Sequence, residues 1–115
     1  MLTMDTLCAF GADTEEGLGR CMNNEAFYLR LVGLAAKDGS YEALRAALDQ
    51  GDLTAAFEAA HALKGVLGNL SLTALYTPVS ELTELLRASR EMDYAPLLSE
   101  VLRRRDALLA LCEEG

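Results

Sequence analysis

The sequence predicts an all-α protein, an antiparallel four-helix bundle with one or more additional short helices at the N-terminus. Alanine and leucine dominate a chain that is 51% apolar and contains only two prolines, a composition that favours helices packed on helices. Apolar residues recur at helical spacing in several segments, and no segment alternates like a half-buried strand. Short turn signals separate these segments, as in bundles of consecutive antiparallel helices.

Two short helices are predicted before the bundle. Residues 4–11, MDTLCAFG, can form the first of them. Asp13 and Thr14 mark the start of the second, because a side-chain oxygen caps free backbone N–H groups and the acidic residues that follow suit the positive end of a helix. This second helix is expected to run from Thr14 to about Met22.

A third and a fourth helix follow, separated by residues 37–39. Asn23 and Asn24 can cap the third helix, which begins at Glu25. The predicted inward face of the third helix consists of Phe27, Leu31, Leu34 and Ala35. Ser40 is expected to cap the fourth helix. The predicted inward face of the fourth helix consists of Leu44, Ala47 and Leu48.

The sixth helix has two candidate starting points, whereas the fifth begins after a clear break at residues 50–52, where Asp52 can cap it. A start at Ser71 places Pro78 in the second turn, where proline kinks a helix. A start at Thr77 places Pro78 at the first helical position, where proline is tolerated.

The last two helices carry leucine-rich stripes. The stripe of the sixth helix ends near Ser89 and consists of Val79, Leu82, Leu85 and Leu86. Asp93 is expected to cap the seventh helix, on which the three arginines at 103–105 are expected to form a solvated face. The largely inward residues of the seventh helix are Leu97, Leu98, Val101, Leu102, Leu108, Leu109 and Leu111.

Composition and charge argue against several classes of function. The net charge of −8 disfavours nucleic acid as a partner, because phosphates repel an acidic chain. Three cysteines without metal-ligand spacing and a single histidine disfavour a structural zinc site and predict free thiols in a reducing compartment. The N-terminus has no basic segment typical of a leader, and no apolar run approaches the roughly 20 residues of a membrane span.

These features together predict a single domain, residues 1–115, with its bundle core at about residues 24–113. We expect a cytoplasmic monomer that contacts no membrane and no nucleic acid.

The only histidine opens the stretch HALKGVLGN on the fifth helix. With about 100° of rotation per residue, the core face of this helix consists of Ala56, Ala60, Leu63, Leu67 and Leu70. His61 lies well over 100° from the centre of that face, so it is expected to point outward. Gly65 and Gly68 share its face. Lys64 lies on its flank, and Glu58 lies three residues before it.

This pattern suits an imidazole that holds a group and presents it to another protein. Each helical glycine costs about 1 kcal/mol relative to alanine, yet glycine removes side chains that would obstruct approach to the ring. A neutral imidazole nitrogen is a good nucleophile near pH 7, since its ordinary pKa is about 6.5. A phosphoryl group on that nitrogen would be negatively charged, and Lys64 could offset the charge.

Residues 59–75, AAHALKGVLGNLSLTAL, resemble the signature of histidine phosphotransfer domains. In that family the phosphorylated histidine opens the pattern H-x-L-K-G, which is followed by small residues and an asparagine. The matching positions here are His61, Leu63, Lys64, Gly65, the small residue Gly68 and the asparagine Asn69. The preceding leucine-rich and alanine-rich run that includes GD also resembles the family, so the resemblance covers about residues 13–90.

The resemblance implies a four-helix bundle that carries a phosphoryl group and is not itself an enzyme. His61 would accept the group, through Nε2, from the phospho-aspartate of a response-regulator receiver domain and pass it to an aspartate of a second receiver. A hybrid sensor histidine kinase is a further candidate partner. The Mg²⁺ ion would belong to the receiver, so this chain would need no cofactor or metal of its own.

The resemblance also implies roles for the neighbours of the histidine. Lys64 would neutralise the phosphohistidine, and Gly65 and Gly68 would let the acidic pocket of the receiver close over the ring. Asn69 would serve the helix end or docking. Two interpretations of Glu58 stay open: a hydrogen-bond acceptor that orients the ring, or a solvated surface carboxylate.

Three positions depart from the family pattern. Ser71 stands where the family often has glycine, and Thr83 stands where many members have glutamate. Pro78 is unusual in the helix that follows the site. These departures affect a helix junction and a surface, and they leave the phosphoryl-accepting residues intact, so they bear on partner choice.

Three other interpretations stay open. The phosphoacceptor domain of a histidine kinase would take its group from an ATP-bound kinase domain. The chain starts at Met1, is too short for a kinase and has no glycine-rich nucleotide motif, so we expect a separate chain. A helical adaptor that carries no phosphoryl group would keep all partner function after His61→Gln. An enzyme is disfavoured, because no nucleophile–base pair, metal cluster or paired acids occur at informative spacing.

Overall fold

A computed structural model of the chain describes residues 1–113. These residues contain no strand, so the predicted all-α class is confirmed. They form seven helices: α1 (Met4–Phe10), α2 (Thr14–Arg20), α3 (Glu25–Ala36), α4 (Ser40–Asp49), α5 (Leu53–Asn69), α6 (Thr73–Arg87) and α7 (Ala95–Glu113). The predicted end of the domain at residue 115 lies outside the described residues.

Helices α4 to α7 form the predicted four-helix bundle. α5 packs against both α4 and α6, and α6 packs against α7. Short connections join these helices, which makes consecutive members antiparallel. The guanidinium carbon of Arg105 on α7 lies 5.2 Å from the ring centroid of Tyr41 on α4, a contact between the first and last helices of the bundle. α3 packs on α7, and the short helices α1 and α2 precede it.

Four of the predicted helix caps are confirmed. The side chains of Asp13, Asn24 and Asp52 each accept a hydrogen bond from the backbone N–H three residues later, at the start of α2, α3 and α5. The carboxylate of Asp93 accepts from the N–H of Ala95, the first residue of α7, at 3.0 Å. Each cap satisfies one of the N–H groups that the first turn of a helix leaves without a partner.

Two predicted boundaries are wrong by one or two residues. Ser40 does not cap α4, because it is the first helical residue and follows the cap residue Gly39. The carboxylate of Asp38 accepts a hydrogen bond from the Ser40 N–H at 2.8 Å and so takes the place of the expected serine cap. α2 ends at Arg20, two residues early, because Met22 and the asparagine after it both have left-handed backbones with φ of 57°.

The predicted inward face of α3 is wrong by one residue. The buried residues of this helix are Tyr28, Val32, Ala35 and Ala36. Of the predicted face only Ala35 is buried, while Phe27 and Leu34 are 39% and 59% exposed. The helix is apolar on nearly every side, so periodicity alone cannot set its rotation. A long-range hydrogen bond sets it: the Tyr28 hydroxyl donates to the Leu70 carbonyl at 2.7 Å.

Helix α6 begins at Thr73, which makes the alternative start at Thr77 wrong. Pro78 is therefore inside the helix, in its second turn, and it is buried. Proline has no N–H to donate to the Ala74 carbonyl one turn earlier. The Arg104 side chain of α7 donates to that carbonyl at 2.6 Å, so the bundle supplies the partner that proline removes.

The arginines at 103–105 do not form the solvated face that the sequence predicted. Arg104 bonds to the backbone of α6, and the side chain of Arg105 is only 15% exposed and lies over Tyr41. Arg103 alone is largely exposed, and it pairs with Glu100 at 2.7 Å. The long apolar stems of arginine allow this burial while the charged ends keep polar partners.

The N-terminal helices are anchored to the α5–α6 turn. The Asp13 N–H donates to the Ser71 carbonyl at 2.9 Å, and the Ala74 N–H donates to the Gly11 carbonyl at 3.0 Å. Burial, with smaller contributions from Cys21 and Asp13, raises the pKa of Tyr28 to about 12, so its hydroxyl stays protonated and keeps donating. These bonds bring α2 beside the end of the helix that carries His61.

Candidate functional site

Helix α5 presents His61 to solvent, as its periodicity predicts. The core-facing residues of α5 and its cap are buried: Ala56, Ala60, Leu63, Leu67 and Leu70. His61 is exposed, and its side chain forms no hydrogen bond or ion pair within residues 1–113. Both ring nitrogens therefore remain open to a partner molecule.

The imidazole rests on an aromatic ring that sequence reasoning did not single out. Phe57, one turn before His61 on α5, stacks on it with ring centroids 5.6 Å apart and an angle of 17° between the planes. Arg87 of α6 lies over the same phenyl ring, 5.0 Å from its centroid. The spacing of four residues could have identified Phe57. Arg87 could not be found this way, because its position depends on the packing of α5 against α6.

Lys64 forms an ion pair with Glu84 across the α5–α6 interface. The Lys64 Nζ lies 3.5 Å from one carboxylate oxygen of Glu84, and Arg87 Nε lies 3.3 Å from the other. Partial desolvation acts to raise the pKa of Glu84, but the charges and hydrogen bonds of Arg87 and Lys64 outweigh it and hold that pKa below its ordinary value. Lys64 is thus beside the histidine, but already has a carboxylate partner.

The two glycines of the motif have different surroundings. A Cβ atom at Gly65 would meet nothing within 4 Å, so this glycine leaves open space one turn beyond His61. A Cβ at Gly68 would lie 3.2 Å from the Tyr76 ring of α6. Gly68 therefore serves close packing between helices, in addition to the role in access to the ring that the sequence suggests.

Glu58 and Asn69 lie at opposite ends of the motif. Glu58 is exposed and its side chain forms no hydrogen bond or ion pair within the described part of the chain, so the structure does not bring it to the imidazole as an acceptor. Asn69 is the last residue of α5, and its backbone carbonyl accepts from Arg20 at 3.4 Å. Its position is that of a residue at the helix end.

A groove of about 620 Å³ joins these residues along the outer side of α5. The sequence-predicted residues that line it are His61, Lys64, Gly65, Gly68 and Asn69. α2 adds Glu16 and Arg20 to the lining, and α6 adds Tyr76. The structure thus brings five of the six predicted residues to one surface and leaves Glu58 outside it.

The groove combines a free imidazole, a cation beside it and an open approach. Such a site can hold a small anionic group on the ring while a second protein reaches it.

No group of three or more potential metal ligands occurs in residues 1–113. Cys8, Cys21 and Cys112 are free thiols, as predicted. No helix among these residues is long and apolar enough to cross a membrane.

Comparison with known proteins identifies the family. No curated protein and no solved structure matches the chain. The family model of the Hpt domain matches residues 39–114, which include α4 to α7 and the whole His61 motif. Hpt domains are phosphocarriers of phosphorelays and interact with receiver domains in two-component systems. Because the match covers more than half of its length, the chain belongs to the Hpt domain family, the histidine phosphotransfer domains.

Proposed function

We propose that the chain is a histidine-containing phosphocarrier whose phosphoacceptor is His61. It takes a phosphoryl group from the aspartyl phosphate of one receiver domain and passes it to the aspartate of another. The observation that carries the proposal is the exposed imidazole, free of hydrogen bonds within residues 1–113, in an open groove. Since the chain has no other histidine, this ring is the sole candidate for a phosphohistidine.

The transfer is a displacement at phosphorus. The lone pair of Nε2 attacks the phosphorus of the aspartyl phosphate, the new P–N bond forms, and the P–O bond to aspartate breaks. The aspartate leaves as a carboxylate, and the proton on Nδ1 stays on the ring. The outward transfer reverses these bond changes on the second receiver. The proposal assigns Mg²⁺ and the catalytic acids to the receivers, so this chain supplies the nucleophile and its positioning.

The neighbours of His61 have separate roles in this mechanism. Phe57 supports one face of the imidazole and limits its rotation. Lys64 offsets the charge of the phosphoryl group, for which it exchanges part of its interaction with Glu84. Gly65 leaves room for the receiver to approach. Asn69 supports the end of α5, and Glu58 is assigned no role in the chemistry.

The domain organisation, location and partners of the carrier are part of the same proposal. We infer one domain, a cytoplasmic monomer, with response-regulator receivers as partners and no cofactor of its own. A hybrid sensor histidine kinase would supply one of these receivers. A helical adaptor is the alternative from another class, and it requires no phosphoryl group on His61.

Phosphoryl transfer from a labelled receiver tests the proposal. The chain is incubated with ³²P-phosphorylated receiver domains and Mg²⁺, beside the variant His61→Gln. We expect a label on the wild-type chain that is labile in acid and stable in base, and no label on the variant. A well-folded wild-type chain that no receiver or kinase in a broad panel can label would favour the adaptor. Label on His61→Gln would also contradict the assignment.

A further inference from the structure

Helix α2 supplies a cation to the groove from outside the part of the chain that matches the family. The Arg20 side chain lies at the end of α5, where its Nη1 donates to the Gly68 carbonyl at 2.5 Å. It also bonds to the hydroxyl of Ser71 at 3.2 Å and pairs with Glu16 at 3.0 Å. Nearly half of the side chain, 49%, remains exposed to solvent.

Ser71 contacts this arginine, although its own backbone conformation is unfavourable for serine. Its φ is 56°, in the left-handed region that favours glycine, and it is 5% exposed. A glycine here would fit the backbone better but would have no hydroxyl. The Ser71 hydroxyl accepts from Arg20 and donates to Glu16 Oε1 at 2.8 Å, so the three side chains form a closed set of contacts. We call this set the Arg20 clasp.

The clasp is too far along α5 for Arg20 to contact a phosphoryl group on the imidazole. Gly68 lies seven residues beyond His61, which corresponds to about 10 Å along a helix axis. Arg20 is bound to the Gly68 carbonyl and so faces a molecule that covers the groove, not the reacting atoms. A guanidinium has five N–H groups, and those that the clasp does not use are available to bind a carboxylate of a partner protein.

We propose that Arg20 is a docking residue that binds an acidic side chain on the receiver, and that it contributes to the choice of receiver. This inference rests on the proposed function. The charges support it: the chain carries −8 overall and would repel an acidic partner, whereas the cations Arg20 and Lys64 both line the groove. A cation at the rim of an interface mainly raises the association rate and makes it depend on salt.

A purely structural role is the competing account, because an arginine at a helix C-terminus also stabilises the last carbonyls. The two accounts differ in kinetics. A structural role changes the stability of α5 but not the salt dependence of receiver binding. A docking role changes KM and its salt dependence while the maximal transfer rate of the complex stays close to that of the wild type.

The test compares Arg20→Gln with Arg30→Gln in transfer from a receiver that phosphorylates the wild-type chain. Arg30 is exposed on α3 and its side chain forms no hydrogen bond or ion pair within residues 1–113, so Arg30→Gln has the same net charge as Arg20→Gln and leaves the clasp intact. We expect Arg20→Gln to lower kcat/KM about fivefold at 50 mM salt, mainly through KM, with the loss shrinking at 500 mM. Arg30→Gln should stay within about twofold of the wild type.

Two further measurements separate the possible failures. Ser71→Gly keeps Arg20 and its contacts with Glu16 and Gly68 but removes the Ser71 hydroxyl from the clasp, and it should raise KM in the same direction by a smaller factor. Phosphoramidate, which phosphorylates histidine without a receiver, reports the reactivity of His61 itself. Equal KM values and equal salt dependence for Arg20→Gln and Arg30→Gln, with normal transfer by the wild type, would overturn the docking role. A wild-type chain that accepts no phosphoryl group from receivers would instead overturn the proposed function.

Discussion

At the scale of single residues, the surroundings of His61 explain why a helix tolerates two glycines. Gly68 allows Tyr76 of α6 to pack against the backbone of α5, which is a structural role. Gly65 has no such neighbour, so the roughly 1 kcal/mol that a helical glycine costs has no compensation from packing. Access to the adjacent imidazole is the compensation that the proposed transfer supplies.

Substitution of Gly65 by alanine should separate stability from function. We expect Gly65→Ala to stabilise the fold by about 1 kcal/mol, because alanine is a better helix former and the added methyl meets no neighbour. We also expect transfer from a receiver to slow by about tenfold, since the methyl lies on the approach to the ring. Urea unfolding and a transfer time course measure the two effects.

Gly33→Ala in α3 is the matched control, because a Cβ there also meets nothing within 4 Å. It should stabilise the fold similarly and leave transfer unchanged. If Gly65→Ala also transferred at the wild-type rate, the role of Gly65 in access would be wrong.

The ion pair between Lys64 and Glu84 predicts a shift in the transfer equilibrium. Glu84 competes with the phosphoryl group for Lys64, so Glu84→Gln should favour the phosphorylated chain over the phosphorylated receiver by up to about fivefold. The lowered pKa of Glu84 means that the pair is intact at neutral pH and is lost only as the pH falls below the ordinary carboxyl range. The equilibrium should therefore be measured near pH 8.

Glu81→Gln removes the same charge from the exposed side of α6 and serves as the control. The side chain of Glu81 forms no hydrogen bond or ion pair in the described part of the chain. An equal shift for both variants would show that general charge, and not release of Lys64, determines the equilibrium.

At the scale of helices, the sequence predicts elements better than it predicts their partners. Caps such as Asp13 and Asp52 depend on a few neighbouring residues, so local pattern identifies them. The rotation of α3 depends on a hydrogen bond from Tyr28 to a carbonyl 42 residues away, and no local pattern contains that information. For the same reason the outward direction of His61 was predictable, whereas the contacts of Lys64 and Arg87 with α6 were not.

Because α2 packs on α3, alanine substitutions at two glycines of α2 should have different effects on the stability of the fold. A Cβ at Gly17 would lie 2.5 Å from the Tyr28 hydroxyl and 2.6 Å from its ring, and the fully buried ring has no free space to move into. Gly17→Ala should therefore destabilise the fold by about 1–3 kcal/mol. Urea unfolding monitored by circular dichroism measures the change.

Gly19→Ala provides the comparison, since a Cβ at Gly19 meets nothing within 4 Å. This substitution should be neutral or stabilising by up to about 1 kcal/mol. Equal unfolding midpoints for the two variants would mean that α2 does not pack on Tyr28 as described.

At the scale of the whole molecule, the chain combines a family bundle with an N-terminal extension that is part of the same structure. The family match begins at residue 39, yet α1 to α3 bond to the α5–α6 turn and contribute Arg20 to the groove. Composition and periodicity were sufficient to predict the helical class and the bundle. They could not predict that α2 reaches the site, because that arrangement depends on contacts between residues about 50 positions apart.

The charge and the core together predict a monomer. The apolar core is buried within the chain, and a net charge of −8 opposes self-association. Sedimentation equilibrium in moderate salt should give a mass near 12.4 kDa. A mass twice as large that returns to the monomer value in Leu34→Lys would instead indicate a dimer through the exposed apolar residues of α3.

The central claim is that His61 carries a phosphoryl group from one receiver to another, and a chase experiment tests it most directly. The chain is labelled by a phosphorylated receiver, purified, and mixed with a second, unphosphorylated receiver and Mg²⁺. The account predicts that the label leaves the histidine and appears on the aspartate of the second receiver, while the purified chain alone keeps it. Label that stays on the chain, or is released only as inorganic phosphate with every receiver tried, would contradict the role of a carrier.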